Sequence, residues 1–212
     1  MSRSFEGRKV LDGLDLDLAP AEFVAIVGRS GVGKSTLLGI LGTHDLGFEG
    51  SLSVGGSDVT KASPRDLARL RRECLGYVFQ DFYLLPTLTA VENAVLPAVF
   101  AGSDYEAAEE QAKQVLEHLG VRIDSTPTAV LSRGERQRVA VARGLVNRPH
   151  VLLADEPSAS LDDESERILF DMLDGLRREQ GFALAAVVHS TAVLSRADRV
   201  LELREGRLHA SS

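Results

Sequence analysis

The sequence predicts an α/β fold built on a mainly parallel sheet. Three observations carry this. The segment Gly28-Arg29-Ser30-Gly31-Val32-Gly33-Lys34-Ser35 has the form G-x-x-x-x-G-K-[ST], with the apolar run Glu22 to Val27 before it and the helix-forming run Ser35 to Leu41 after it. Short apolar runs and helical patterns then alternate along the chain. One of those runs, Val151 to Ala154, ends in Asp155-Glu156, as expected at the carboxyl edge where such sheets bind ligands.

Taken in order, Leu14, Leu16 and Leu18 alternate with Asp15 and Asp17, a period of two that predicts a half-buried strand. Pro20 and Ala21 turn the chain into the strand before the glycine-rich loop. Gly50 to Val54 reads as a short strand closed by Gly55-Gly56. Ser63-Pro64 starts a helix, with Ser as cap and Pro at the first helical position. Leu75 to Phe79 is a strand ending at Gln80. Thr89-x-x-Glu92 and Ser103-x-x-Glu106 both read as capping boxes. The second opens an amphipathic helix with Val115, Leu116 and Leu119 on one face and Gly120 as its stop. Residues 89–147 are therefore expected to form a helical subdomain inserted into an α/β core of 1–88 and 148–212, the whole being a single domain. Strand Val151 to Ala154, helix Asp162 to Arg178 and strand Ala183 to Val188 follow. Val200 to Leu203 and Arg207-Leu208 flank Glu205-Gly206 as a hairpin.

Composition bounds the function. A hydrophobic share of 44% is enough for a buried core in 212 residues, and a net charge of -7 argues against a broad nucleic-acid-binding face. The single Cys74 excludes an internal disulfide and fits a reducing compartment. No apolar stretch approaches the roughly 20 residues needed to cross a bilayer. Charges at Arg3, Glu6, Arg8 and Lys9 interrupt any signal-peptide pattern.

The glycine-rich segment names a chemical group. Its glycines let successive backbone N–H groups turn toward one anion, and the helix beginning near Gly33 adds its positive dipole end. Lys34 would bring a point charge to the outer phosphates and Ser35 a hydroxyl to Mg²⁺, with Thr36 completing the cradle. Asp155 is suited to hold the Mg²⁺ and Glu156 to accept a proton from an attacking water. Alone, Asp155-Glu156 is equally a solvated turn after a buried strand; beside the phosphate loop the functional reading prevails. Leu131-Ser132-Arg133-Gly134-Glu135 starts a helix whose Ser132 and Glu135 form a capping box. That start is an anion site or simply a well-capped helix.

The order of these features is specific: phosphate loop, Gln80 after a strand, Leu-Ser-x-Gly-Glu-Arg-Gln-Arg, Asp155-Glu156 after an apolar strand, Ser160-Leu161-Asp162, and His189 after a strand. Over about Phe5 to Leu208 the chain resembles the ATP-binding subunit of an ABC transporter. The stretch Tyr77-Val78-Phe79-Gln80, followed by Leu84 to Asn93 and Leu96-Pro97, is similar to the subfamily that powers lipoprotein release, macrolide export and related extrusion. The resemblance implies a P-loop NTPase core with an N-terminal antiparallel β region. It implies ATP and Mg²⁺ as ligands, ATP hydrolysis, and a place on the inner face of the cell membrane beneath a membrane-spanning permease.

It also implies residue roles. Gln80 would sense Mg²⁺ and the attacking water; unaided, it reads as a polar strand cap. His189 would contact the γ-phosphate and hold Glu156 in place, where a lone His is otherwise a satisfied core residue. Asp162 would communicate between subunits, and it is also a helix N-cap. Phe5 would stack on adenine, or be a core aromatic. Ser132, Gly134 and Glu135 would complete the ATP site of a second ATP-binding subunit, so that a two-fold pair holds two composite sites.

Four departures stand out. Arg133 replaces the signature's first glycine; if that position needs positive φ, Arg costs about 1 kcal/mol or more. Ala21 replaces a usual glycine, which reads as minor, and Val188 a usual Thr. The first strand is expected to be absent or displaced. Arg133 leaves open a low-activity nucleotide-binding partner subunit. A DNA-repair or translation ATPase of the same superfamily is disfavoured, because the chain has no long coiled-coil insert or tandem nucleotide domain. A GTPase is disfavoured by the lack of an Asn-Lys-x-Asp motif.

Overall fold

A computed structural model describes residues 1–211. The elements in chain order are β1 (Arg3–Phe5), β2 (Arg8–Leu11), β3 (Phe23–Val27), α1 (Lys34–Leu41), β4 (Ser53–Val54), β5 (Ser57–Asp58), α2 (Pro64–Glu73), β6 (Leu75–Val78), α3 (Ala90–Phe100), α4 (Tyr105–His118), α5 (Arg133–Leu145), β7 (Val151–Asp155), α6 (Asp163–Gln180), β8 (Ala183–Val187), α7 (Thr191–Leu194), β9 (Arg199–Arg204) and β10 (Arg207–Ala210). The central sheet runs β10-β9-β3-β8-β7-β6. All its neighbours are parallel except β10, which closes the edge as an antiparallel hairpin with β9. This is the mainly parallel α/β fold that the alternating pattern predicts.

Parallel pairing sets where the chemistry sits. Ile26 lies beside Val187 and Val187 beside Asp155. Gly28, Glu156 and His189, each one or two residues further on, therefore emerge at one edge of the sheet. The residue before Gln80's strand end obeys the same register, since Val78 pairs with Ala154.

Successive strand side chains point to opposite faces, and both faces are covered. Phe23, Ala25, Leu184 and Ala186 join one apolar cluster with α3 to α6. Val24, Ile26, Ala185 and Val187 join a second with α1 and α2. Helices α3, α4 and α5 pack on one another, and α5 also packs on β6.

Several expectations are corrected. Leu14 to Leu18 forms no strand. Leu14 is buried and Leu16 and Leu18 are half-buried, so the alternation is real; it reports a packed face rather than a ladder. The strand at Gly50 to Val54 shrinks to β4, paired with β5 across Gly55-Gly56. Ser103 does not cap α4. Its N–H bonds to Ala98 and Gly102's to Val99, which closes α3, so Asp104 takes the cap and accepts from Ala107 at 3.0 Å. The N-terminal residues form β1, an antiparallel partner of β2.

Ala21 is not a minor change. It sits at φ 56°, in the left-handed region, with its N–H bonded to Gly181 and its carbonyl to Arg177. Left-handed backbone costs a side-chain-bearing residue about 1 kcal/mol. Ala21→Gly should therefore stabilise the protein by a few tenths of a kcal/mol, glycine's looser unfolded chain offsetting part of that relief. Urea denaturation followed by circular dichroism checks this, and an equal or lower midpoint would refute it.

Candidate nucleotide site

The glycine-rich loop between β3 and α1 can exist only with glycines at two of its positions. Gly28 has φ 150°, and a Cβ there would lie 2.6 Å from the Leu203 carbonyl oxygen. Gly33 has φ 116°, and a Cβ there would lie 2.6 Å from a methyl of Val10. No side chain caps the N-terminus of α1, so its first N–H groups and dipole end face the loop's interior. Lys34 is 6% exposed, and its ammonium donates to the carbonyls of Gly28 at 2.8 Å and Arg29 at 3.1 Å. A buried cation held on the loop's carbonyls, beside the uncapped N-terminus of α1, is built for an anion. Val32 packs inward behind the loop.

The cleft over this loop measures about 400 Å³. Ser30, Gly31, Ser35 and Thr36 of the loop line it, together with Gln80, Glu156, Phe5 and Val10. Phe5 is 44% exposed, and the Arg3 guanidinium covers its ring at 4.2 Å. Phe5 is thus a wall of the cleft and not a core aromatic.

One strand end supplies both acids. Asp155 closes β7, and its carboxyl is pushed above the usual range. Burial is the main cause and the charge of Glu156 adds to it; a hydrogen bond with Ser35 and the nearby Lys34 oppose it. Because this pKa is raised by folding, the charged form weakens the fold at neutral pH, and that stability returns as pH falls through the folded value. A bound cation would offset the same cost. Ser35, Asp155 and Gln80 offer oxygens of the type Mg²⁺ takes, and the described residues hold no cluster of three His, Cys, Asp or Glu. Such a sparse set suits an ion that keeps water and phosphate oxygens as its other ligands.

Glu156 follows at φ 48°, a left-handed position that turns its carboxylate back over the cleft. Its Oε1 lies 3.0 Å from His189 Nε2. A carboxylate only accepts, so the ionised pair requires the proton on Nε2. His189 follows β8 by two residues and is half-exposed, free of the core.

The N-terminus of α5 lies apart from this cleft. Ser132 and Glu135 do form the predicted box: Ser132 Oγ accepts from the Glu135 N–H at 3.2 Å, and Glu135 accepts from Ser132 at 2.9 Å. Ser132 is exposed, and neither it nor Gly134 lines the cleft of its own chain. Arg133 is the first helical residue and has no positive φ. The backbone strain considered for it is therefore absent, and what remains is a cation at the positive end of a helix. Asp162 caps α6, accepting from Ser165 at 2.8 Å, and those bonds hold its carboxyl below the usual range.

Sequence reasoning missed the anchors of the loop after Gln80. Arg143 donates to the carbonyls of Phe82 and Tyr83, and Arg136 lies over the Phe82 ring. The signal available was their spacing, two turns apart on one face of α5.

Residues 11–159 match the family described as ABC transporter. The chain belongs to this family. Among the curated proteins it is 45% identical over 201 residues to the lipoprotein-releasing system ATP-binding protein LolD of Xanthomonas axonopodis pv. citri, spanning 94% of this chain and 82% of that protein. The LolD of Novosphingobium aromaticivorans is 46% identical over 202 residues, covering 94% and 89%. The macrolide export ATP-binding/permease protein MacB 1 of Aeromonas hydrophila is 44% identical over 204 residues, covering 95% of this chain and 31% of that one. A dimeric ATP-binding cassette in a post-hydrolysis state, bound to ADP and Pi, superposes with TM-score 0.87 at 31% identity, covering all of this chain and 94% of its own. The family and fold predicted from motif order are those found. This cassette has no helix long and apolar enough to cross a membrane among the described residues.

Proposed function

We propose that this cassette binds ATP with Mg²⁺ in the cleft over Gly28–Thr36, hydrolyses it, and so drives a membrane-spanning permease that extrudes lipoprotein or a similar envelope substrate. The observation that carries the reading is the Glu156–His189 pair, 3.0 Å apart, whose Glu156 lines the cleft over the glycine-rich loop. Lys34 neutralises the outer phosphates, and Phe5 offers a ring face to adenine. Glu156 takes a proton from a water, whose oxygen then attacks the γ-phosphorus as the bond to ADP breaks. His189 donates through Nε2 and keeps Glu156 aimed at that water. Mg²⁺, held by Ser35, Asp155 and Gln80, would supply charge neutralisation on the phosphates.

The second half of each site comes from another cassette, whose Ser132, Gly134 and Glu135 face the same triphosphate. Their distance from the cleft of their own chain supports this, as does the dimeric state of the ADP-bound neighbour. Asp162, exposed at the start of α6, would lie at that junction. Residues 89–147 act as the lobe that carries motion to the permease. The permease would sit in the groove of about 540 Å³ between α2, β6 and that lobe, where Phe100 is 82% exposed. Through it the cassette would rest on the inner face of the membrane.

The test is phosphate release from ATP by the purified chain, with and without Mg²⁺. Mg²⁺-dependent turnover is expected. ATP binding without turnover, in the presence of a permease partner, would leave a nucleotide-binding subunit only.

A further inference from the structure

We infer that Arg143 is a positioning residue for Gln80, holding the loop that follows it and passing to that loop the position of α5. The inference rests on the ATPase reading above and adds a part to it. Arg143 Nη1 donates to the Tyr83 carbonyl at 2.6 Å and Nη2 to the Phe82 carbonyl at 2.8 Å. A planar guanidinium matches two successive carbonyls as a fork, which an ammonium does not. Among the described residues these are the only hydrogen bonds made to the backbone of residues 80–84.

The loop they hold is not relaxed. Tyr83 has φ 45°, a left-handed conformation that a bulky residue keeps only where its surroundings impose it. Arg143 grips the carbonyls on both sides of that bond pair. Two turns earlier, the Arg136 guanidinium carbon lies 5.4 Å from the centre of the Phe82 ring, and its Nε is buried without a partner. Downstream the chain is fixed separately, by Asn93 and Thr128 on the backbone of Leu85. Residues 80–84 therefore span from the sheet edge to a fixed point; Tyr83 rests edge-on against Phe79 and Leu84 on the core, while the hydrogen bonds to their backbone come from α5.

The same helix begins at Ser132, the residue assigned to a partner's ATP. Its 13 residues form a rigid rod of about 20 Å. A shift of that rod carries both carbonyls with it, and Gln80 lies two residues upstream in the cleft. Arg143 also lines the groove together with Tyr83 and Phe100, so a protein seated there touches the same side chain. One guanidinium thus joins the groove, the start of α5 and the Mg²⁺-facing amide.

The experiment uses the full chain with Arg143→Lys, which keeps the charge and loses the fork, and Arg136→Gln, which leaves Arg143 in place. Two quantities are read: steady-state hydrolysis, and hydrogen exchange of the 80–84 amides against those of the phosphate loop. Expected for Arg143→Lys is a fall in kcat of at least about tenfold with KM for ATP held within about twofold. Exchange should accelerate at residues 80–84 and stay unchanged at 28–41. Arg136→Gln should show the same signature at smaller size, and decides the matter if Arg143→Lys does not fold. Unchanged exchange at 80–84, or a kcat loss matched by a KM rise and by exposure of the phosphate loop, overturns the inference. If the unsubstituted chain does not hydrolyse ATP, the ATPase reading falls, and the exchange comparison alone decides for or against the clamp.

Discussion

Glu156→Gln lowers ATP turnover by about a thousandfold and leaves a long-lived ATP-bound dimer. The substitution is nearly isosteric, so the left-handed turn at φ 48° and the hydrogen bond from His189 Nε2 both survive, with the amide oxygen as acceptor. What is lost is the one base in the cleft able to take a proton from water. Binding should not suffer. The Glu156 charge helps push the Asp155 carboxyl upward, so removing it makes Asp155 easier to ionise and to pair with a cation. With hydrolysis blocked, a triphosphate that bridges two protomers has no exit, and association persists for as long as ATP is present. Phosphate release and light scattering, each with and without ATP, measure the two halves of this result. An unchanged rate would remove Glu156 from its role; a monomer under both conditions would remove the bridge.

The parts of this site that were legible in the sequence are those whose residue types are forced by local chemistry. Gly28 and Gly33 occupy positions where a Cβ would collide, so their spacing announces the loop. Asp155-Glu156 and His189 follow apolar strands, and parallel pairing then brings them to one edge without further information. What was illegible depends on long-range partners. The period of two at Leu14 to Leu18 is a burial signal and does not reveal that no strand lies alongside. Ser103 and Asp104 are both good caps, and only the closure of α3 decides between them. The ordinary φ of Arg133 and the left-handed φ of Ala21 reverse the weights that composition alone gives them. Arg143 reads as one more basic residue on a helix until its partners, 60 and 61 positions away in sequence, are known.

Two inactive variants should restore one another when mixed. Lys34→Ala removes the cation from the phosphate loop, and Ser132→Arg blocks the surface that α5 presents to a partner. Each alone breaks both sites of a homodimer. In a mixed dimer, one site combines the two lesions, and the other combines an intact loop with an intact α5. Random pairing of equal amounts makes half of all dimers mixed, so activity should recover to about a quarter of the unsubstituted level. The doubly substituted chain gives the converse. Mixed with the unsubstituted protein it forms dimers without an intact site, and total activity falls to about a quarter rather than a half. A site complete within one chain predicts neither result, because mixing would then change nothing. A single protomer shows what motivates the prediction: Ser132 is exposed, held by its own capping box, and does not line the cleft of its own chain.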